Sequence, residues 1–167
     1  MSSWPGPVVV GDVRDHQGRD EPADRPSLSR FAARGRPSRH ALGIVVGLLQ
    51  AATPLAFWWL DSATVYALGL AVIASVYVGF AVADGRPRVI AVESSVTLAF
   101  VVVAAAAVTG SPWLLVAGLA GHGLKDLWQH RNQFVANTRW WPPFCMIVDW
   151  VVAAIIVGEI AAGMHFG

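Results

Sequence analysis

The sequence predicts an all-α fold, a polytopic membrane protein built as a bundle of about five transmembrane helices. Three observations predict it. Of 167 residues, 55% are apolar and only 14% charged, whereas a soluble domain carries about a quarter charged residues. Much of that charge sits in the first 40 residues, so the remainder could not keep a water-facing surface soluble. Five apolar runs then follow one another across short polar separators.

Residues 1–40 are rich in Pro, Gly, Ser, Arg and Asp and show no apolar periodicity beyond Val8, Val9 and Val10. Such a segment cannot bury enough surface to offset its ordering entropy, so it is expected to be a disordered basic cytoplasmic tail. Arg25, Arg30, Arg34, Arg36 and Arg39 cluster at its end. Beside a membrane span, that cluster is expected to lie against anionic lipid headgroups rather than nucleic acid. No cleavable signal peptide is expected, since the first apolar run begins only at Ala41, is too long, and follows a polar tail.

Residues 41–167 form the transmembrane domain, with segments at 41–60, 62–83, 89–108, 112–128 and 143–162. Four of these reach the ~20 residues that cross a ~30 Å core as a helix. The fourth is the shortest and ends in polar residues. Separators of two to five residues, such as Asp61-Ser62 and Asp84 to Arg88, make consecutive helices antiparallel neighbours.

Charge orients the bundle. If all five segments cross, the tail, the 84–88 turn and the connection after the fourth segment share one side. Those regions hold all 12 Lys and Arg residues, including Arg86, Arg88, Lys125, Arg131 and Arg139. The positive-inside rule then places the N-terminus in the cytoplasm and the C-terminus outside. Eleven of the twelve are Arg, a bias that with abundant Ala, Val and Gly fits a GC-rich bacterial genome, so the expected location is a bacterial inner membrane.

Aromatic residues agree with these boundaries: Trp58, Trp59 and Trp113 fall at outer ends, Trp128, Trp140 and Trp141 at inner ones. Pro54 is expected to kink the first helix, with Gln50 and Thr53 placed to satisfy freed backbone groups. Gly43 and Gly47 form a small-xxx-small pair that lets helices approach closely.

Ionisable groups inside a membrane cost about 2.5–3.5 kcal/mol each, so each needs a reason. Glu93 is expected roughly 6 Å below the cytoplasmic boundary, and His122 and Asp149 roughly 9 Å below it. Three helices thus bring Glu, His and Asp to one layer, and these are the candidate catalytic residues. His122, Asp126 and His130 recur at i, i+4, i+8, with Lys125, Gln129 and Gln133 on the same side and Leu124, Leu127, Trp128 and Arg131 opposite. Lys125, Asp126 and His130 are the supporting binding residues. The stripe should point into the bundle or a cavity open to the cytoplasm.

Such a layer suits acid–base chemistry, with His122 and a carboxylate trading protons with a lipophilic substrate. The structural alternative is that Glu93 and Asp149 pair with Lys125, Arg131 or His122 and dock helices. Metal binding is weakly indicated, because the outer histidines of the stripe stand ~12 Å apart, and no metal site or cofactor is assigned. The single cysteine, Cys145, excludes an intrachain disulfide and a cysteine-based zinc site, and reads as a small buried hydrophobe. Glu159 reads as snorkelling, and Asp61 and Asp84 as helix caps. The connection 129–143 reads as an interfacial helix, with a lid over the polar layer as its alternative.

No Walker loop, dinucleotide fingerprint, HExxH or nucleophile elbow is present. The leading expectation is a cytoplasm-facing polar pocket that binds or transforms a lipophilic molecule. A proton-linked carrier or channel subunit and a catalytically silent scaffold are the alternatives. Expected partners are the bilayer, anionic headgroups, and a second copy of the chain where a path runs through a shared interface.

Overall fold

The computed structural model of the chain describes residues 38–136 and 138–166. The expected disordered tail lies outside them, except for its last three residues. Every regular element among the described residues is helical: α1 Arg39–Ala51, α2 Thr53–Ala56, α3 Ser62–Asp84, α4 Pro87–Thr109, α5 Trp113–Asn132 and α6 Trp141–Ala161.

Three of these, α3, α4 and α6, are long and apolar enough to cross a membrane, fewer than the five expected. The two shortfalls have different causes. The first segment is not one kinked helix. Proline has no N–H and its ring crowds the preceding turn, and the helix stops at Ala51, three residues before Pro54. Its 13 residues cover only roughly 20 Å. The freed carbonyls are satisfied inside the protein: Thr53 Oγ1 donates to Gln50 O at 2.6 Å, and the Tyr66 hydroxyl donates to Ala51 O at 2.9 Å. The Tyr66 hydroxyl also lies 3.3 Å from both Glu159 carboxylate oxygens. Helix α5, in contrast, is longer than expected at 20 residues, and its composition is what falls short, because it carries the polar stripe.

Local signals set the remaining ends. Asp61 caps α3, accepting from Thr64 N at 2.7 Å and from the Thr64 hydroxyl at 2.8 Å. Those bonds favour the ionised form and hold its carboxyl below the usual carboxylate range. Gly85 ends α3 at φ +77°, a left-handed turn that glycine adopts without strain, and Pro87 opens α4. Asp84 is not a helix cap. It accepts from Arg86 and, at 2.7 Å, from Ala136 N, while Arg86 Nη2 donates to Phe134 O at 2.7 Å. The α3–α4 turn is thereby fastened to the connection before α6. Among the described residues, that connection is a loop after Asn132 rather than an interfacial helix, and Val135 buries completely in one apolar cluster with Tyr77, Ala81 and Val89.

The helices pack α3 on α4, α5 on both α4 and α6, and α1 on α6, with a smaller α3–α5 contact. Gly43 and Gly47, the buried residues of α1, make the last docking possible. A Cβ at Gly43 would stand 3.1 Å from Ile147 Cβ, and one at Gly47 would stand 2.9 Å from Val151 Cβ. These pairings run in the same direction along both helices, so α1 and α6 are parallel. Arg39, Arg86, Arg88, Arg131 and Arg139 accordingly gather at one end. At the other, Phe166 O accepts from Ala63 N at 3.0 Å.

Polarity runs inside out. Leu49, Leu98 and Val72 are more than 60% exposed, while Glu93, His122, Asp126, Gln129 and Asp149 are at most 1% exposed. Water would reverse that distribution, and hydrocarbon favours it. The chain is an all-helical protein compatible with a membrane.

Candidate functional site

The polar layer is assembled by four helices. The stripe on α5 turns His122, Asp126 and Gln129 fully inward, while Leu124 and Trp128 face outward at 60% and 47% exposure. One helical turn separates His122 from Asp126, which puts both on the face covered by α6 and α3. Helix α4 supplies Glu93, α6 supplies Asp149 and Cys145, and α3 supplies Tyr77.

Two linked groups result. In the first, Lys125 Nζ donates to Glu93 Oε2 at 2.7 Å and Gln129 Nε2 to Glu93 Oε1 at 2.8 Å. Both carboxylate oxygens are satisfied, and the negative charge is matched by a cation at contact distance. In the second, His122 Nδ1 lies 2.8 Å from Asp149 Oδ2 and 3.6 Å from Asp126 Oδ2. Tyr77 joins the two groups. Its hydroxyl donates to Asp126 Oδ1 at 2.6 Å, and Lys125 Nζ sits 3.2 Å above its ring centroid, within cation–π range. The His122 ring is packed edge-on to Phe100 and Tyr77, with centroids 5.0 and 5.9 Å away.

The second group is not fully satisfied. His122 Nε2, Asp126 Oδ2 and Asp149 Oδ1 are buried and have no hydrogen-bond partner among the described residues, and Gln129 Oε1 in the first group shares that condition. A native interior contains few such atoms, and each needs an explanation. Two carboxylates also face one imidazole, so at least one negative charge lacks a partner unless a proton or another cation supplies it.

The expected residues fare differently. Glu93, His122, Lys125, Asp126 and Asp149 do come together, and the pairs Glu93–Lys125 and Asp149–His122 are among those named for helix docking. His130 stays apart: it is partly exposed, and its carbonyl accepts from Gln133 Nε2 at 2.8 Å. The three best-formed cavities among the described residues are lined by none of Glu93, His122 and Asp149. One of them, about 370 Å³, lies at the opposite end beside Gly110 and Phe166.

Tyr77 and Cys145 were not expected at the site. Cys145 is buried as expected, but it is more than a hydrophobe: single ligand atoms of His122, Asp126, Cys145 and Asp149 all lie within 4.8 Å of one another. A mixed donor set of this kind needs one sulfur only, so the argument from cysteine count does not apply to it. The signal was available, since Cys145 precedes Asp149 by four residues and therefore shares its face of α6. Tyr77 is one of only two tyrosines, and its hydroxyl turns onto the buried Asp126.

Tyr77→Phe removes the donor to Asp126 Oδ1 and leaves a buried carboxylate oxygen unpaired. The expected cost is about 1–3 kcal/mol, read as a lowered melting temperature in detergent, and wild-type stability would contradict the assigned bond. No protein-family model, curated protein or solved structure matches the chain.

Proposed function

We propose that the chain is a small five-pass membrane protein whose buried polar layer binds or transforms a lipophilic molecule, with His122 as the acid–base group. The His122–Asp149 pair carries this reading. A carboxylate bonded to Nδ1 fixes the imidazole orientation and leaves Nε2 free to accept or give a proton. That nitrogen is buried and without a partner among the described residues. Asp126, Glu93 and Lys125 support the pair electrostatically, and hydrocarbon-facing helices surround it, so the molecule that reaches it comes from the lipid phase.

The proposed topology has a cytoplasmic N-terminus. It is supported by the gathering of arginines at one end of the bundle, the end that the positive-inside rule turns inward. Helix α5 crosses under cover of α3, α4 and α6, and the α1–α2 segment crosses with its broken turn satisfied internally.

A proton-linked carrier is less well supported. Between the layer and Glu159 the core is apolar, formed by Leu70, Leu115, Leu119 and Ile156. A silent scaffold remains the competing reading, because both charged pairs also dock helices. Organic extracts of the purified protein distinguish them. Wild type should carry a stoichiometric lipophilic species that His122→Ala and Asp149→Asn lose, at a lowered melting temperature but with enough folded protein to purify. Identical extracts from equally folded proteins would sink the proposal, and a collapse in yield of both variants would favour the scaffold.

A further inference from the structure

The geometry points to a divalent transition-metal site of the zinc or cobalt class in this layer, formed by His122, Asp126, Cys145 and Asp149. The inference deepens the proposed function and rests on the layer being the working part of the protein.

Four side chains of ligating type converge from two helices, each pair one turn apart. Their ligand atoms lie within 4.8 Å of one another, and all four residues are buried. Zinc bonds of about 2.0–2.3 Å in a tetrahedron place ligand atoms roughly 3.3–3.8 Å apart. His122 Nδ1 already stands 2.8 Å from Asp149 Oδ2 and 3.6 Å from Asp126 Oδ2. Closing the remaining gap takes about 1 Å, within reach of small side-chain rotations.

The unpartnered atoms give independent support. Asp126 Oδ2 faces the imidazole at 3.6 Å without a hydrogen-bond donor among the described residues, and Asp149 Oδ1 is likewise orphaned. The other Asp126 oxygen is held by Tyr77, the kind of outer bond that orients a ligating carboxylate.

Charge and softness select the ion. Two carboxylates and the Cys145 thiolate around a neutral imidazole offer three negative charges, and a divalent cation cancels two of them and so lowers the cost of the buried charge. Lys125 does not oppose it, since Glu93 already matches that ammonium at 2.7 Å. Calcium and magnesium take six or more oxygen ligands, whereas one nitrogen, two oxygens and one sulfur at tetrahedral spacing suit zinc or cobalt. On binding, the proton between His122 Nδ1 and Asp149 moves to Nε2, which leaves Nδ1 to ligate and the imidazole neutral, and the Cys145 thiol proton leaves to solvent.

Cobalt(II) added to the metal-stripped full chain in detergent tests this. The expected result is one ion per chain, with the visible bands of tetrahedral cobalt and a near-ultraviolet sulfur-to-cobalt band, all removed by zinc. Cys145→Ser should lose the sulfur band alone and bind about tenfold more weakly, while His122→Ala and Asp149→Asn should weaken binding about 100-fold or more. Helicity and melting without metal establish that each variant folds, and Cys145→Ser, nearly isosteric, keeps the test decisive if the others do not.

A wild-type protein without cobalt bands, or with bands that Cys145→Ser leaves unchanged, overturns the site. The parent reading fails separately. No metal in wild type, with the lipophilic species still lost in His122→Ala, refutes the metal alone. Identical extracts refute the parent reading whatever cobalt does.

Discussion

Lys125→Met should destabilise the protein by about 3–5 kcal/mol, because removing one partner of a buried ion pair strands the other. Glu93 is 1% exposed, and Lys125 and Gln129 supply the donors to its two oxygens. Without the ammonium, a carboxylate beneath the helix surface keeps one amide donor and no countercharge. The magnitude exceeds that of a surface pair, worth about 0–1 kcal/mol, since the Lys125 side chain is only 14% exposed. Adding Glu93→Gln to Lys125→Met should recover most of the loss, because no charge is then left alone. A double-mutant cycle on melting in detergent measures it. Additive single and double losses would show that the two side chains do not act as a pair.

Gly47→Leu should separate α1 from α6. A Cβ there meets Val151 Cβ and Cγ1 at 2.9 Å and Val148 O at 3.2 Å, so both a β-branched side chain and backbone block it. Overpacking of this kind costs about 1–3 kcal/mol, occasionally more. With α1 only 13 residues long, little other contact resists the displacement. Gly79→Leu is the matched control: an added Cβ there meets nothing within 4 Å, and the expected change stays within about 0.5 kcal/mol. Equal melting temperatures for the two variants would refute the close-packing account.

Much of the layer was legible in the sequence. Helical period alone put His122, Asp126 and Gln129 on one face of α5, and the cost of charge in hydrocarbon turned that face inward. Turn residues such as Asp61, Gly85 and Pro87 marked helix ends within a residue or two. Three features were not legible, each for a physical reason. Pro54 signals a disturbance but not whether the helix bends or stops, which depends on what receives the freed carbonyls, and Tyr66 stands on another helix. Asp84 resembles a cap because one of its partners, Ala136 N, is 52 residues away. Cys145 was read by itself as apolar, and only the rotation of α6 against α5 brings it to His122. His130 is the converse case: regular spacing places it in the stripe, and in the structure it stands near the end of α5, partly exposed.

Tyr77 has one further consequence. It touches Lys125 through its ring and Asp126 through its hydroxyl, so neither group's ionic state is independent of the other's. Any event that changes the charge on Asp126 alters the field at the ammonium, and loosening of Glu93 from Lys125 is sensed at the imidazole side. Linkage makes such influence mutual, with the same free energy in both directions. The aromatic ring is therefore a transmitter between two electrostatic compartments.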